Sequence, residues 1–149
     1  MNNKKIITYY IVSGGFDPIH EGHIENIKDS REQSDGVIVL LNSDEWLCRK
    51  KGKNFMNFNT RRAIAENIKG VIEVLDFDDS DNSACDGLRK ARKLHPDCNL
   101  IFAKGGDRTA DNIPEIPCCA ELGIEIKYGI GGGKQNSSSW ILNKWSEKK

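Results

Sequence analysis

The chain has 149 residues, enough for one domain to bury a core without disulfide bonds or structural metals. It carries 22 Lys and Arg residues against 22 Asp and Glu residues, so its formal net charge is zero with histidine neutral. Nucleic-acid and membrane-surface binders usually need an excess of positive charge, and we therefore expect neither partner. Any anion that binds must be met by a local arrangement of donors.

The sequence contains no apolar run near the roughly 20 residues of a membrane span. The N-terminal residues lack the small-residue cleavage site of a signal peptide. The five cysteines are irregularly spaced and include no Cys-x-x-Cys pair of the kind that binds zinc. We therefore expect reduced thiols and a cytoplasmic location.

Short apolar runs alternate with helical patterns along the whole chain. Runs rich in β-branched and aromatic residues predict strands at 6–12, 37–41, 71–77, 100–103 and 124–128. Helical spacing predicts helices at 23–33, 60–68, 84–94, 116–122 and 138–145. The second helix has Ala63, Ile64 and Ile68 on one side, and Asn59 or Thr60 can cap it.

This alternation is typical of βαβ units, and it predicts the α/β class. The expected fold is a single Rossmann-like domain over residues 1–149, with a five-stranded parallel sheet and helices on both faces. The polar, basic stretch 44–58 is interpreted as a long irregular loop, which is often functional. The acidic stretch 76–81 is expected to stay solvated. Ligands of open parallel sheets bind beyond the carboxyl ends of the strands, at the point where the strand order reverses.

The loop after the first strand contains the residues best suited to handle phosphate. Gly14 and Gly15 can let the backbone approach a ligand closely. Gly22 lies where a helix begins, so exposed N–H groups and the positive end of the helix dipole can meet phosphate. His20 and His23 are three residues apart and can point the same way from the first turn. Two such imidazoles can donate to phosphoryl oxygens as charge develops in a transition state.

Two other interpretations of the histidine pair remain open. The two side chains could be incidental residues of a surface turn, or they could bind a metal. No third His or Cys lies nearby, and His95 is isolated beside Pro96, so no metal site is expected. The position of the pair between a strand and a helix, after two glycines, favours the phosphate function.

Residues 14–23 read Gly-Gly-Phe-Asp-Pro-Ile-His-Glu-Gly-His. This segment resembles the Gly-x-Phe-Asp-x-x-His-x-Gly-His motif of the cytidylyltransferase-like nucleotidyltransferases. The resemblance extends along nearly the whole chain, through Leu41-Asn42-Ser43-Asp44, Lys51-Gly52 with Asn57 and Arg62, Lys104-Gly105-Gly106-Asp107, and Ser137-Ser138-Ser139-Trp140-Ile141. The Lys-Gly and Lys-Gly-Gly-Asp segments are similar to those of bacterial heptose-1-phosphate adenylyltransferase domains.

The resemblance implies an enzyme that joins a nucleoside triphosphate, ATP or CTP, to a phosphorylated sugar or alcohol and releases pyrophosphate. It implies catalytic roles for His20, His23 and Lys51, with Lys50 as an alternative to Lys51. It implies Mg²⁺ as the companion of the triphosphate, and a homodimer. The residues implied in nucleotide binding are Gly14, Gly15, Phe16, Gly22, Gly105, Gly106, Asp107, Ser137, Ser138 and Ser139, and those implied on the acceptor side are Asp17 and Arg62.

Simpler roles stay open for several of these residues. The lysines could belong to a solvated loop, Asp17 could cap a turn, and Arg62 could form a surface salt bridge. Gly105 to Asp107 could be an ordinary turn, and Ser137 to Ser139 a helix cap.

The chain also departs from the family before the serines. Gly131 to Lys134 replace the segment in which cytidylyltransferases carry an arginine, so Lys134 is a candidate substitute, and the base preference shifts toward adenine. The alternative functions are a catalytically silent nucleotide-binding regulatory protein and a metal hydrolase.

Overall fold

The computed structural model describes residues 5–105, 113–131 and 137–147. The strands are β1 (Thr8–Gly14), β2 (Gly36–Leu41), β3 (Val71–Leu75), β4 (Asn99–Gly105) and β5 (Glu125–Ile130). The helices are α1 (Glu21–Glu32), α2 (Asp44–Lys51), α3 (Phe58–Glu66), α4 (Cys85–Leu94), α5 (Ile116–Leu122) and α6 (Ser138–Ser146).

The five strands form one sheet in the order β3-β2-β1-β4-β5, and each neighbouring pair is parallel. The predicted five-stranded parallel sheet is therefore confirmed. The strand order reverses between β1 and β4, because β1 connects toward β2 on one side and pairs with β4 on the other. The carboxyl ends of these two central strands mark the place where such sheets bind ligands.

Hydrophobic side chains cover both faces of the sheet. In β2 all six residues are buried, as expected of a central parallel strand. Ile38 and Leu40 join the core cluster that contains residues of α4 and α5. Val37 and Val39 alternate with them and join the cluster that contains Ile27 of α1 and Ala65 of α3. The prediction of helices on both faces is thus confirmed, and the chain packs around two cores.

The stretch 44–58 is not a continuous loop, and the sequence interpretation was wrong here. Its first half forms α2, whose N-cap is Ser43, with the Ser43 hydroxyl accepting from the Trp46 N–H at 3.1 Å. Gly52 ends the helix in the left-handed conformation at φ 88°. Acidic residues in the first turn and basic residues in the last complement the helix dipole. Only Leu47 of α2 is buried, which explains why hydrophobic spacing gave no helix signal.

The start of one strand and the start of one helix also differ from the prediction, each for a local reason. Ile6 and Ile7 precede β1 and are 70% and 43% exposed, because pairing with β4 starts at Thr8. The N-cap of α3 is Asn57, whose side chain accepts from the Thr60 N–H at 2.9 Å. The residues expected to cap α3 therefore lie inside its first turn.

Over the described ranges, no helix has both the length and the apolar character needed to cross a membrane.

Candidate active site

A cavity of about 630 Å³ opens at the carboxyl end of the sheet, where the strand order reverses. Its wall includes residues from the ends of β1, β4 and β5 and from the helices α1, α2 and α6. The predicted site residues that line it are Gly14, Gly15, Phe16, His20, Gly22, His23, Lys51, Gly105, Ser137, Ser138 and Ser139. The fold therefore brings together segments that are more than 100 residues apart in sequence.

The two histidines build the start of α1 as well as lining the cavity. His20 is the N-cap, and its Nδ1 accepts from the Gly22 N–H at 3.0 Å. His23 stands at the third helical position, and its Nδ1 accepts from the His20 N–H at 3.2 Å. This is a reciprocal capping box in which imidazoles replace the usual hydroxyl and carboxylate. The motif therefore fixes both rings through the backbone of the helix they begin.

This capping arrangement also determines where the imidazole protons lie. Because both Nδ1 atoms accept hydrogen bonds, each neutral ring carries its proton on Nε2. The two rings are 4.0 Å apart between centroids. The edge of Phe16 supports His23 at a centroid distance of 4.6 Å. The pair is thus prearranged as two N–H donors, the form that a phosphoryl oxygen requires.

Burial keeps His23 neutral. Removal of the ring from water, followed by repulsion from His20 and Lys51, lowers the pKa of His23 to about 3. The imidazole thus enters the site as a neutral hydrogen-bond donor through the whole physiological pH range.

The pKa of His23 makes a prediction for acid stability. Between pH 6.5 and 5 the unfolded chain takes up a proton on His23 that the folded chain does not, so the free energy of unfolding falls as pH falls. The His23 contribution falls by at most about 1.4 kcal/mol per pH unit. Urea unfolding at pH 5, 5.5, 6 and 6.5 measures this contribution as the difference in the free energy of unfolding between the parent and His23→Gln. Parallel stability curves for the two proteins would contradict the assignment.

At three glycines of the site a Cβ would fit only if a neighbouring group moved. A Cβ on Gly22 would lie 2.8 Å from the His20 ring, and one on Gly15 would lie 2.8 Å from Leu47. A Cβ on Gly105 would lie 2.9 Å from the backbone oxygen of Ile130. The positive φ in the first loop belongs to Phe16, at 52°. Gly14 and Gly15 therefore serve by lacking a side chain, and neither adopts a positive φ.

Lys51 and Lys50 close the α2 side of the cavity. Lys51 donates to the backbone oxygen of Asp17 at 3.3 Å, and Lys50 lies 4.6 Å from the centroid of the Trp46 ring. Burial lowers the pKa of Lys51, while the Asp17 carboxylate opposes this effect. Lys50, Lys51 and Trp46 all line the cavity. The two lysines at the end of α2 thus contribute to the cavity wall as well as to the solvent-exposed surface.

Asp17 holds the backbone that follows α2. Its side chain is 1% exposed, and its carboxylate accepts from the N–H groups of Phe55 and Met56 at 2.5 and 2.6 Å. These bonds orient the segment between α2 and α3. The structure gives Asp17 this positioning contact and does not include it in the cavity wall.

The three serines open α6 against the first loop. Ser137 is the N-cap and accepts from the Trp140 N–H at 3.0 Å. The hydroxyl of Ser138, which is 8% exposed, donates to the Pro18 oxygen at 2.7 Å. Capping and cavity lining are therefore combined at one helix N-terminus, and Ser139 lines the cavity beside them.

Arg62 does not reach the cavity. Its guanidinium contacts Glu66 at 3.4 Å and the backbone oxygen of Val74 at 3.4 Å. The surface salt bridge is the arrangement that the structure contains. Arg62 projects from α3 toward β3 here, and the acceptor contact stays a prediction without support from this arrangement.

The neighbouring Arg61 is the buried arginine, and sequence reasoning missed it. Its side chain is fully buried, and it donates to the backbone oxygens of Gly15, Asn42 and Met56 at 2.9, 2.7 and 3.0 Å. It also pairs with the Asp44 carboxylate at 2.7 Å. One guanidinium therefore ties the ends of β1 and β2 to the start of α2 and to the segment before α3.

Two further residues near the site carry buried carboxylates. Asp79, 4% exposed, accepts from the side chain of Asn42 and from both the N–H and the hydroxyl of Ser43. Glu115, 5% exposed, accepts from the Ala84 N–H at 2.8 Å. The acidic stretch 76–81 was expected to stay solvated, but Asp79 is drawn in because the N-terminus of α2 offers it three donors.

Three residues named from the sequence, Gly106, Asp107 and Lys134, lie outside the described residues. Within the described ranges, no group of three His, Cys, Asp or Glu side chains is arranged to hold a metal ion. Mg²⁺ usually takes ligands from substrate phosphates and water, with one or two carboxylates. The described residues therefore offer no protein cage for Mg²⁺.

Comparison with known proteins agrees with this architecture. The family model described as "Cytidylyltransferase-like" matches residues 11–125, well over half of the chain. Over 72 residues the chain is 35% identical to glycerol-3-phosphate cytidylyltransferase of Bacillus subtilis. This aligned segment covers 48% of the chain and 53% of that protein. Over 145 residues the chain is 27% identical to bifunctional protein HldE of Pseudomonas fluorescens. That aligned segment covers 96% of the chain and 28% of that protein. The chain thus spans about half the length of one curated relative and under a third of the other.

Solved structures share the fold. A lipopolysaccharide core biosynthesis protein from Thermoplasma volcanium superposes with a TM-score of 0.61 at 24% identity, covering 83% of this chain and 94% of that one. A bifunctional NMN adenylyltransferase/ADP ribose pyrophosphatase from Francisella tularensis gives 0.68 at 18% identity, covering 94% of this chain and 42% of that one. With the family model and the site geometry in agreement, the chain belongs to the cytidylyltransferase-like family.

Proposed function

We propose that this protein transfers a nucleoside monophosphate from ATP or CTP to a phosphorylated sugar or alcohol and releases pyrophosphate. The observation that carries the proposal is the histidine pair at the N-terminus of α1. Both rings line the cavity at the switch point of the sheet, and both present Nε2 as the protonated nitrogen. The relatives named above, one a cytidylyltransferase and one the HldE protein, support the same chemistry.

The reaction requires positioning and charge neutralisation rather than a protein nucleophile. A phosphate oxygen of the acceptor attacks the α-phosphorus in line and the bond to the β-phosphate oxygen breaks, so pyrophosphate leaves. His20 and His23 donate to the α-phosphate oxygens as negative charge builds up. Lys51 adds a positive charge from α2, and it is held near the first loop by the Asp17 oxygen.

The two sides of the cavity suit the two substrates. Ser137 to Ser139 at the start of α6 offer hydroxyls and a helix N-terminus, which suits the β- and γ-phosphates. Across β1, Lys50, Lys51 and Trp46 form a basic and aromatic wall, which suits a phosphorylated acceptor. The acceptor phosphate would then approach the histidines from the α2 side, opposite the leaving pyrophosphate.

The proposal includes Mg²⁺ carried by the triphosphate, whose oxygens are the hard ligands that it prefers. It also includes a homodimer in the cytoplasm. Trp145 on α6 is 82% exposed, and large aromatic side chains of this kind are enriched in protein interfaces.

A panel of pyrophosphate-release assays tests the function. Each of the four nucleoside triphosphates is incubated with Mg²⁺ and a set of phosphorylated sugars and alcohols. We expect release with ATP or CTP that depends on one acceptor class. Silence with every combination would contradict the proposal. Tight nucleotide binding by calorimetry without release would instead favour the catalytically silent regulatory protein.

A further inference from the structure

Asn82 lies in the loop 76–84, which connects β3 to α4, and it lines the same cavity as the histidine pair. Two contacts with the α2 region fix this loop. The Asp79 carboxylate accepts from the hydroxyl and the N–H of Ser43, the N-cap of α2, at 2.7 and 2.8 Å. The guanidinium of Arg49 donates to the Asp79 backbone oxygen at 2.7 Å and to the Asn82 Oδ1 at 3.2 Å. Asn82 is therefore held by the helix that also carries the two cavity lysines.

The contact with Arg49 determines which way the Asn82 amide points. A guanidinium has only donors, so the amide atom that faces it must be Oδ1. Arg49 lines a separate cleft together with Asp78 and Ser80, whereas Asn82 lines the main cavity. The Nδ2 edge of the amide is thus left toward the main cavity. Within the described ranges this nitrogen has no protein partner for its N–H groups.

The donor edge of this amide suits a phosphate oxygen. Ionised phosphate oxygens accept hydrogen bonds and cannot donate them, so they pair with N–H groups. The Arg49 guanidinium polarises the amide through Oδ1, which strengthens its N–H groups as donors.

The order of the strands indicates which phosphate Asn82 meets. Asn82 follows β3, at one edge of the sheet, whereas Ser137 to Ser139 follow β5, at the other edge. The histidine pair follows β1, in the middle. In-line transfer requires the attacking oxygen and the leaving pyrophosphate on opposite sides of the α-phosphorus. With the pyrophosphate at the serines, the acceptor phosphate lies on the side of Asn82.

We propose that the Nδ2 of Asn82 donates to a phosphate oxygen of the acceptor and so determines how tightly the acceptor binds. The proposal rests on the proposed function, because it assigns the acceptor side of the same cavity. Arg49 is the positioning residue, since it acts on the acceptor through the amide that it orients.

Two substitutions separate this contact from a structural role of the loop. The φ of Asn82 is 64°, in the left-handed region that glycine adopts readily, so Asn82→Gly keeps the backbone and removes the amide. Asn82→Asp keeps an oxygen for Arg49 and replaces the donor by an anionic group. We expect Asn82→Gly to raise KM for the acceptor about tenfold, the usual effect of losing a hydrogen bond to a charged group. Asn82→Asp should raise it further, because two negative charges then repel each other.

Pyrophosphate release with glycerol 3-phosphate and sugar 1-phosphates as acceptors gives KM for each acceptor and for the triphosphate. In both variants KM for the triphosphate should stay within about twofold of the parent value. Asn59→Ala, an exposed change on α3, is the control and should leave both constants unaltered. A parent-like KM for the acceptor in either variant would overturn the inference. An equal rise in KM for the triphosphate would do the same.

Titration calorimetry makes the test independent of turnover. The same acceptors are titrated into protein that holds α,β-methylene-ATP or α,β-methylene-CTP. Weaker acceptor binding in both variants supports the role of Asn82, and equal binding in the parent and Asn82→Asp contradicts it. Pyrophosphate release with an unchanged acceptor KM contradicts only the assignment of Asn82. Acceptor binding that depends on Asn82 without any release contradicts only the proposed function, and absence of acceptor binding by the parent contradicts both.

Discussion

Replacing His20 by asparagine or His23 by glutamine is expected to lower kcat by about 10²- to 10³-fold each, the usual effect of removing one transition-state donor. Both substitutions are chosen to keep the helix start intact. Asparagine is a favoured N-cap residue, and glutamine at the third position completes a capping box. What each variant loses is the Nε2–H directed to phosphate.

The matched control is His95→Gln. His95 pairs with Glu73 at 2.9 Å and packs edge-on against Tyr9, outside the cavity wall. Steady-state pyrophosphate release gives kcat, and urea unfolding confirms that each variant is folded. A His20 or His23 variant that is folded and turns over at the parent rate would remove the basis of the mechanism.

Replacing Arg61 by methionine is expected to reduce the free energy of unfolding by about 3–5 kcal/mol, because three backbone oxygens lose their donor at about 1–3 kcal/mol each. The change leaves three backbone oxygens and the Asp44 carboxylate without their donor. The Arg62→Met control removes an exposed pair with Glu66, and it should cost less than about 1 kcal/mol.

Urea titration of both variants and the parent measures the contrast between two adjacent arginines. An Arg61→Met variant as stable as Arg62→Met would show that the buried network contributes nothing to stability. If Arg61→Met is too unstable to purify, Arg61→Lys keeps the charge but not the planar fork. Arg61→Lys should then be less stable than Arg62→Met, because one ammonium group cannot reach all the partners of the guanidinium.

Those parts of the fold that rest on strong hydrophobic patterns could be predicted from the sequence. The continuous apolar run of β2 corresponds to a central strand that is buried at every position. The site at the end of β1 could be located because glycines and histidines follow a strand and precede a helix. The placement of Ser137 to Ser139 in the same cavity followed from the rule that parallel strands end at one edge.

Features that depend on tertiary contacts could not be predicted. Helical spacing grouped Ala63, Ile64 and Ile68, yet Ile64 is 36% exposed and the buried face carries Ala65 and Arg61. An arginine four residues before a buried alanine was the available signal, but an arginine is normally read as a surface residue. The helix α2 was not predicted because it has no apolar stripe, and its sequence signals are its two caps, Ser43 and Gly52.

The destination of the α-phosphorus distinguishes nucleotidyl transfer from simple hydrolysis of the triphosphate. The protein is incubated with α-³²P-labelled ATP or CTP, Mg²⁺ and the acceptor identified by the assay panel, and the products are separated by chromatography. We expect the label in a nucleotide-linked acceptor, and we expect the released pyrophosphate to be unlabelled. His20→Asn and His23→Gln should slow this transfer by about 10²- to 10³-fold each, and His95→Gln should not slow it. Label that remains in the triphosphate, or that appears as free nucleoside monophosphate without the joined product, would contradict nucleotidyl transfer.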